Sequence, residues 1–215
     1  MPQYRFRLEN RNILDINDKK YRILDLISEQ GGSCLVYKAE LVSDIPSETT
    51  FVIKEFYPAL DEIPINDIQR GTGGELVIAE SSAKLFIEHK MRFCNGVANQ
   101  IAEIYTNPNT PTLGCPEPHA NVNGTAYSVL ELGKGDVIQK SDISNFSPSD
   151  VIQIMLSLCS QIGKFHVRGR LFLDVKPSNI FLFEKEREIK RQIALFDFDT
   201  VFEKGKLPES NAEFE

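Results

Sequence analysis

Apolar and polar residues recur along this chain with two different periods, and the change between them is the first guide to its architecture. Three runs in the first quarter, YRILDLI (Tyr21 to Ile27), CLVYKAEL (Cys34 to Leu41) and TFVIKEFY (Thr50 to Tyr57), are apolar and partly alternating. That pattern predicts strands, because successive side chains of an extended chain face opposite sides. SEQGGS and SDIPSETT separate the runs with turn-forming residues, so the three strands are expected as an antiparallel meander. A mixed stretch with Pro58, Pro64 and a GTGG turn at 71–74 follows. The period then lengthens. Leu85, Phe86, Met91, Phe93, Val97, Ile101 and Ile104 fall at helical spacing, predicting a long helix over Ser81 to Tyr105 with serines available to cap its start. A loop rich in Pro and Asn comes next, then NVNG as a hairpin turn into the strand TAYSVLEL.

From residue 146 the pattern starts afresh. Ser147 and Pro148 form a helix-start signature, and Val151, Ile154, Met155, Leu158, Ile162 and Phe165 continue it at helical spacing. The short apolar runs RLFLDV, NIFLF and QIALFDFD read as strands. A β-rich first part and a helix-led second part make the fold class α+β. The expected organisation is an extension over 1–20, a β-rich part over 21–133, a helix-led part over 134–203 and a polar tail over 204–215, with the boundary near Gly133 to Gly135.

Composition narrows the choice of partners. Of 215 residues, 41% are hydrophobic and 26% charged, which is ordinary for a globular protein with a buried core. The net charge of −7 argues against non-specific nucleic-acid binding, which needs a basic face. No apolar run reaches the eighteen or so residues of a membrane span. Cys34, Cys94, Cys115 and Cys159 are widely separated, and free thiols in a cytoplasmic protein are expected.

Three polar signals interrupt the apolar pattern. In ISEQGGSCLVYKA the glycines between two strands let backbone amides approach phosphates, although Gly-Gly between strands is also an ordinary turn. Lys54 sits inside the apolar strand FVIKEF, where a phosphate would explain a charge that could otherwise simply face solvent. In LFLDVKPSNIFLF, Asp174, Lys176 and Asn179 share a short loop between apolar strands, and Asp197 ends another in ALFDFD. Asn179 and Asp197 offer the hard oxygen atoms that suit Mg²⁺, and Asp174 is then placed to act as a base toward a hydroxyl. Asp and Asn as plain turn residues explain the residue types but not the D-x-K-P-x-N order.

That order resembles the catalytic loop of Ser/Thr-type protein kinases, H-R-D-x-K-P-x-N, and FDFD stands where the family has D-F-G. FVIK is similar to V-A-I-K, GGSCLVYKA to the end of the Gly-rich loop, and YSVLEL to the strand into the hinge; the resemblance covers roughly residues 21–203. It implies a kinase fold with a nucleotide-binding N-lobe and the start of a C-lobe, ATP and Mg²⁺ as cofactors, and transfer of phosphate to a protein hydroxyl. Under it Lys54 contacts the α- and β-phosphates, Asp174 orients the acceptor, Lys176 steadies the transferring phosphate, and Asn179 and Asp197 hold metal. Gly31, Gly32 and Ser33 roof the phosphates, Leu130 is the gatekeeper, Glu131 and Leu132 lie against adenine, and Ile27, Val36 and Leu182 wall it. Glu88, with Glu103 second, is the helix glutamate expected to pair with Lys54.

The sequence also departs from the family. Glu29 and Cys34 replace two of the three loop glycines, Phe172 and Leu173 replace the His and Arg of the catalytic loop, and Asp199 replaces the D-F-G glycine. Only sixteen residues follow Asp199, so the activation segment and late helices have no counterpart in them. A fragment of a longer kinase and a minimal relative both fit. Two other functions stay open: a pseudokinase-like nucleotide-binding regulator without phosphotransfer, and a small-molecule kinase of the same fold.

Overall fold

Two dipeptides dictate the hairpins that frame the first part of the chain. Asn17-Asp18 and Asn123-Gly124 each have positive φ at both positions, 48° and 68° in the first and 49° and 74° in the second. This is the backbone of a two-residue type I′ turn, which suits the twist of antiparallel strands. A computed structural model describes residues 5–29, 32–43, 49–106, 116–132, 135–141, 143–184, 192–195, 197, 201–203 and 205. In it the first turn joins β1 (Ile13–Ile16) to β2 (Lys19–Ser28), and the second joins β7 (Glu117–Val122) to β8 (Thr125–Leu132). A Cβ on Gly124 would lie 2.1 Å from the Leu76 carbonyl oxygen, so this turn needs glycine.

The chain divides into two compact units, one of Met1–Ala98 with Gly114–Leu132 and the other of Asn99–Leu113 with Gly133–Glu215. The first is built on a six-stranded antiparallel sheet in the order β1-β2-β3-β4-β8-β7, where β3 is Cys34–Leu41 and β4 is Thr50–Phe56. The meander expected from the sequence is β2-β3-β4, but β8 docks on β4 and puts β7 at the edge. The extension contributes β1, so the sheet begins eight residues before Tyr21, at Ile13. A hairpin of β5 (Ile68–Arg70) and β6 (Leu76–Ile78) occupies the mixed stretch, with GTGG as its turn.

The long helix α1 is Glu80–Thr106. Its serines do not act as caps in the expected way: Ser81 and Ser82 donate to the Asp67 carboxylate at 2.9 and 2.7 Å, tying the helix start to the turn before β5. Those two hydrogen bonds hold the Asp67 pKa below its usual value. Ser82, Phe86, Phe93, Val97 and Gln100 form the buried stripe of α1. Phe86 and Phe93 meet Phe56 of β4 with ring centres 5.2 and 5.7 Å apart.

The second unit is organised on α2 (Pro148–Val167), which starts with a reciprocal capping box between Ser147 and Asp150. Ile154 and Phe165 of α2 pack with residues of β10 (Arg170–Phe172), β11 (Ile180–Phe183), β12 (Ile193–Leu195) and β13 (Val201–Glu203) in one core. β9 (Gly135–Val137), β11 and β12 form a three-stranded sheet and β10 pairs with β13. The buried Gln161 continues the pairing at the edge of β12: its amide donates to the Ile193 carbonyl at 2.6 Å and its oxygen accepts from the Leu195 amide at 3.1 Å. No described helix is long and apolar enough to cross a membrane. Cys34, Cys94 and Cys159 are free thiols, and Cys115 lies outside the described residues.

Candidate functional site

In the first unit the sheet register gathers several of the predicted residues. Lys54 lies on β4, an interior strand, opposite Val36 on one side and Ser128 on the other. Residues opposite each other on neighbouring strands share a face, as do residues two apart on one strand. Val36, Val52, Lys54, Ser128 and Leu130 therefore lie on the face whose Phe56 packs against α1. Lys54 is half-buried and Leu130 is buried. Ile27 falls at a register shift between Leu26 and Ser28. Glu131 belongs to the other face, where it lines a cavity of about 180 Å³ with Tyr21, Leu41, Phe51 and Val129.

The turn between β2 and β3 is described from Gly32 onward, and Gly31 lies outside the described residues. The Gly32 carbonyl accepts from the Ala59 amide at 2.8 Å and the Ser33 carbonyl from the Tyr57 amide at 3.0 Å. Cys34 is buried. Glu88 is exposed on α1, off the buried stripe, with its carboxylate 3.9 Å from Lys84. The side chains of Glu103 and Leu132 lie outside the described residues.

Sequence reasoning missed the neighbour of Lys54. Glu55, fully buried, turns to the opposite face and is held by four donors. Arg70 approaches it with both terminal nitrogens, at 3.0 and 2.7 Å, and the Tyr37 and Tyr127 hydroxyls donate at 3.2 and 3.0 Å. Arg70 donates further to the Phe6 and Gly74 carbonyls, both at 2.7 Å, and lies over the Tyr57 ring. A buried charge pair is tolerated when hydrogen bonds occupy its remaining atoms, as they do here. Burial foremost, then the Glu55 charge, raises the Tyr37 and Tyr127 pKa values far above the ordinary tyrosine value of 10.0.

In the second unit, three predicted residues meet on the loop between β10 and β11. Asn179 is 3% exposed, and its side-chain nitrogen donates to both the Asp174 carbonyl at 3.1 Å and the Asp174 carboxylate at 2.7 Å. Lys176 Nζ reaches the same carboxylate oxygen at 2.9 Å. The short helical turn Pro177–Asn179 makes this closure possible, with the Asn179 amide bonded to the Lys176 carbonyl at 2.9 Å. Asp197 is half-buried, two residues beyond β12, with φ of 65°, a left-handed backbone that aspartate adopts more readily than most non-glycine residues.

The replacements in this loop have separate structural roles. Phe172 is buried and stacks on Phe165 at 5.8 Å, so it serves the core, whereas Leu173 is exposed. Leu182 also faces the core, and Phe181 takes the other side of β11. Among the described residues no group of three or more His, Cys, Asp or Glu side chains is arranged to hold a metal ion.

No protein-family profile and no curated protein sequence matches the chain. Among solved structures it is similar to PpkA-294 in its apo form, with a TM-score of 0.55 and 21% identity, over 89% of this chain and 61% of that one. The fold is kinase-like. The chain spans less than two thirds of the length of the structure it matches.

Proposed function

We propose that the protein is an ATP- and Mg²⁺-dependent protein kinase of the Ser/Thr type, or the part of one that carries its nucleotide and catalytic residues. The observation that carries the proposal is the closed Asp174–Lys176–Asn179 cluster, in which two side chains converge on the Asp174 carboxylate in the D-x-K-P-x-N order. A plain turn needs no lysine folded back onto its aspartate.

In this assignment Lys54 binds the α- and β-phosphates, with Gly31, Gly32 and Ser33 above them. Ile27, Val36 and Leu130 provide apolar contact to adenine, and Glu131 and Leu132 the hinge. Glu88 is the helix glutamate assigned to pair with Lys54; it lies on α1 with its carboxylate 3.9 Å from Lys84. The acceptor hydroxyl oxygen attacks the γ-phosphorus, the bond from that phosphorus to the β–γ bridging oxygen breaks, and ADP leaves. Asp174 takes the hydroxyl proton, while Lys176 stays beside the transferred phosphoryl group. Asn179 spends its amide nitrogen on Asp174, so its carbonyl oxygen is what it offers a cation. With the Asp197 carboxylate this makes the hard-oxygen pair that suits Mg²⁺, an ion that keeps water and phosphate for the rest of its shell. Bound Mg²⁺ supplies charge neutralisation at the phosphates.

A nucleotide-binding regulator without phosphotransfer is the second reading. It is favoured by the Gly32 and Ser33 carbonyls being bonded down to Ala59 and Tyr57, with a cysteine where the family has its third loop glycine. Transfer of labelled γ-phosphate to a mixed protein substrate separates the two. The kinase reading expects turnover that falls roughly 10²–10⁴-fold in Asp174→Asn. ATP binding with no turnover in the wild type selects the regulator.

A further inference from the structure

Ahead of β1, Arg11 and Asn12 bond to Ile23 of β2 through the backbone, whereas residues 5–8 are attached to the sheet through side chains. The Phe6 amide donates to the Tyr57 hydroxyl at 3.3 Å, the Leu8 amide to the Tyr37 hydroxyl at 3.1 Å, and the Phe6 carbonyl accepts from Arg70. This strap delivers Arg5 to three backbone carbonyls from three different strand ends: Glu29 after β2, Cys34 at the start of β3 at 2.8 Å, and Tyr57 after β4 at 3.0 Å. Arg7 adds an exposed ion pair to Glu29 at 4.0 Å. One guanidinium thus joins both described ends of the glycine turn to the strand end after Lys54. Its donors lie in a rigid fork, which a flexible lysine cannot reproduce.

We propose that Arg5 is a positioning residue for phosphate binding, holding the two ends of the glycine turn at a fixed distance from each other and from β4. The inference rests on the nucleotide-binding reading. In that reading two of the three family glycines are replaced, by Glu29 and Cys34, and the carbonyls of those two residues are ones that Arg5 bonds.

The test uses the full chain as wild type, Arg5→Ala and Arg5→Lys, with Arg22→Ala as a control that removes the Arg22–Glu40 ion pair elsewhere on the same sheet. Amide hydrogen exchange without nucleotide reads the clamp itself, at the Tyr57 and Ala59 amides that bond Ser33 and Gly32. Titration with Mg-ATP reads its consequence. Arg5→Ala should speed exchange at those two amides and weaken Mg-ATP binding, each by about tenfold, the equivalent of losing one strong hydrogen bond. Arg5→Lys should recover only part of either, and Arg22→Ala should leave both near wild type. Unchanged exchange, or Mg-ATP binding undiminished in Arg5→Ala, overturns the positioning role. If the wild type binds no Mg-ATP, the function reading fails and the positioning role with it; fast exchange in Arg5→Ala then leaves Arg5 a structural strap only.

Discussion

Lys54 and Glu55 are adjacent on one strand, yet they sit in opposite environments. Behind Glu55 the sheet is closed by the N-terminal strap and the β5–β6 hairpin, and four hydrogen bonds hold the carboxylate. On the Lys54 side the sheet carries Val36, Val52 and Leu130, and the lysine is only half-buried. The first charge is a fixture of the fold. The second is placed where function is proposed. The difference teaches that burial alone does not identify a functional charge: Glu55, the more buried of the two, is the one fixed by Arg70, Tyr37 and Tyr127 as part of the fold.

Three measurements press on this contrast. The largest expected effect belongs to Glu55→Ala, which leaves the Arg70 guanidinium buried without its carboxylate. A denaturant melt should show a loss of about 3–5 kcal/mol. A loss below about 1 kcal/mol would mean that water reaches the site and the face is not closed. Replacing Glu55 and Arg70 together by methionine should cost much less than the sum of the single changes, because no charge remains unpaired.

Next in size is the alkaline response of the two tyrosines. Their pKa values are raised in the folded state, so the neutral hydroxyls contribute stability that is complete below the unfolded value of 10.0 and is lost as pH climbs beyond it. Thermal midpoints should be flat between about pH 8 and 9 and fall steeply above about pH 10. Tyr127→Phe should cost about 1–2 kcal/mol at neutral pH and make that alkaline fall shallower. An unchanged slope would place the sensitivity outside this network.

The smallest stability effect is expected from Lys54→Ala, within about 1 kcal/mol of the wild type by the same melt, because the lysine is only half-buried and its truncation opens no core cavity. A loss as large as that of Glu55→Ala would erase the distinction between the two faces.

Much of this was legible in the residues. Period-two runs located β2, β3 and β4, the NVNG turn located β8, the helical periods located α1 and α2, and Ser147-Pro148 marked the α2 start. The D-x-K-P-x-N order brought Asp174, Lys176 and Asn179 to one point because a single short turn holds them. β1 escaped notice although Asn17-Asp18 is a type I′ signal, since only four residues alternate before it. Glu55 was invisible for a different reason. Its partners Tyr37, Arg70 and Tyr127 come from three separate elements, and nothing local in FVIKEF tells a buried glutamate from an exposed one. The role of Arg5 was hidden in the same way, its carbonyl partners lying 24 to 52 residues away.

The central claim is that the Lys54 face and the Asp197 region bind Mg-ATP, and a thermal melt with and without Mg-ATP tests it most directly. At nucleotide about a hundredfold above its dissociation constant, binding to the folded state adds about 2.7 kcal/mol. For a chain of this size that raises the midpoint by about 5–10 °C. The account predicts this rise in the wild type and its loss in Lys54→Ala and Asp197→Ala, with the ligand-free midpoint of Lys54→Ala nearly unchanged. A cooperative melt that Mg-ATP does not move, or a rise that survives both substitutions, contradicts it.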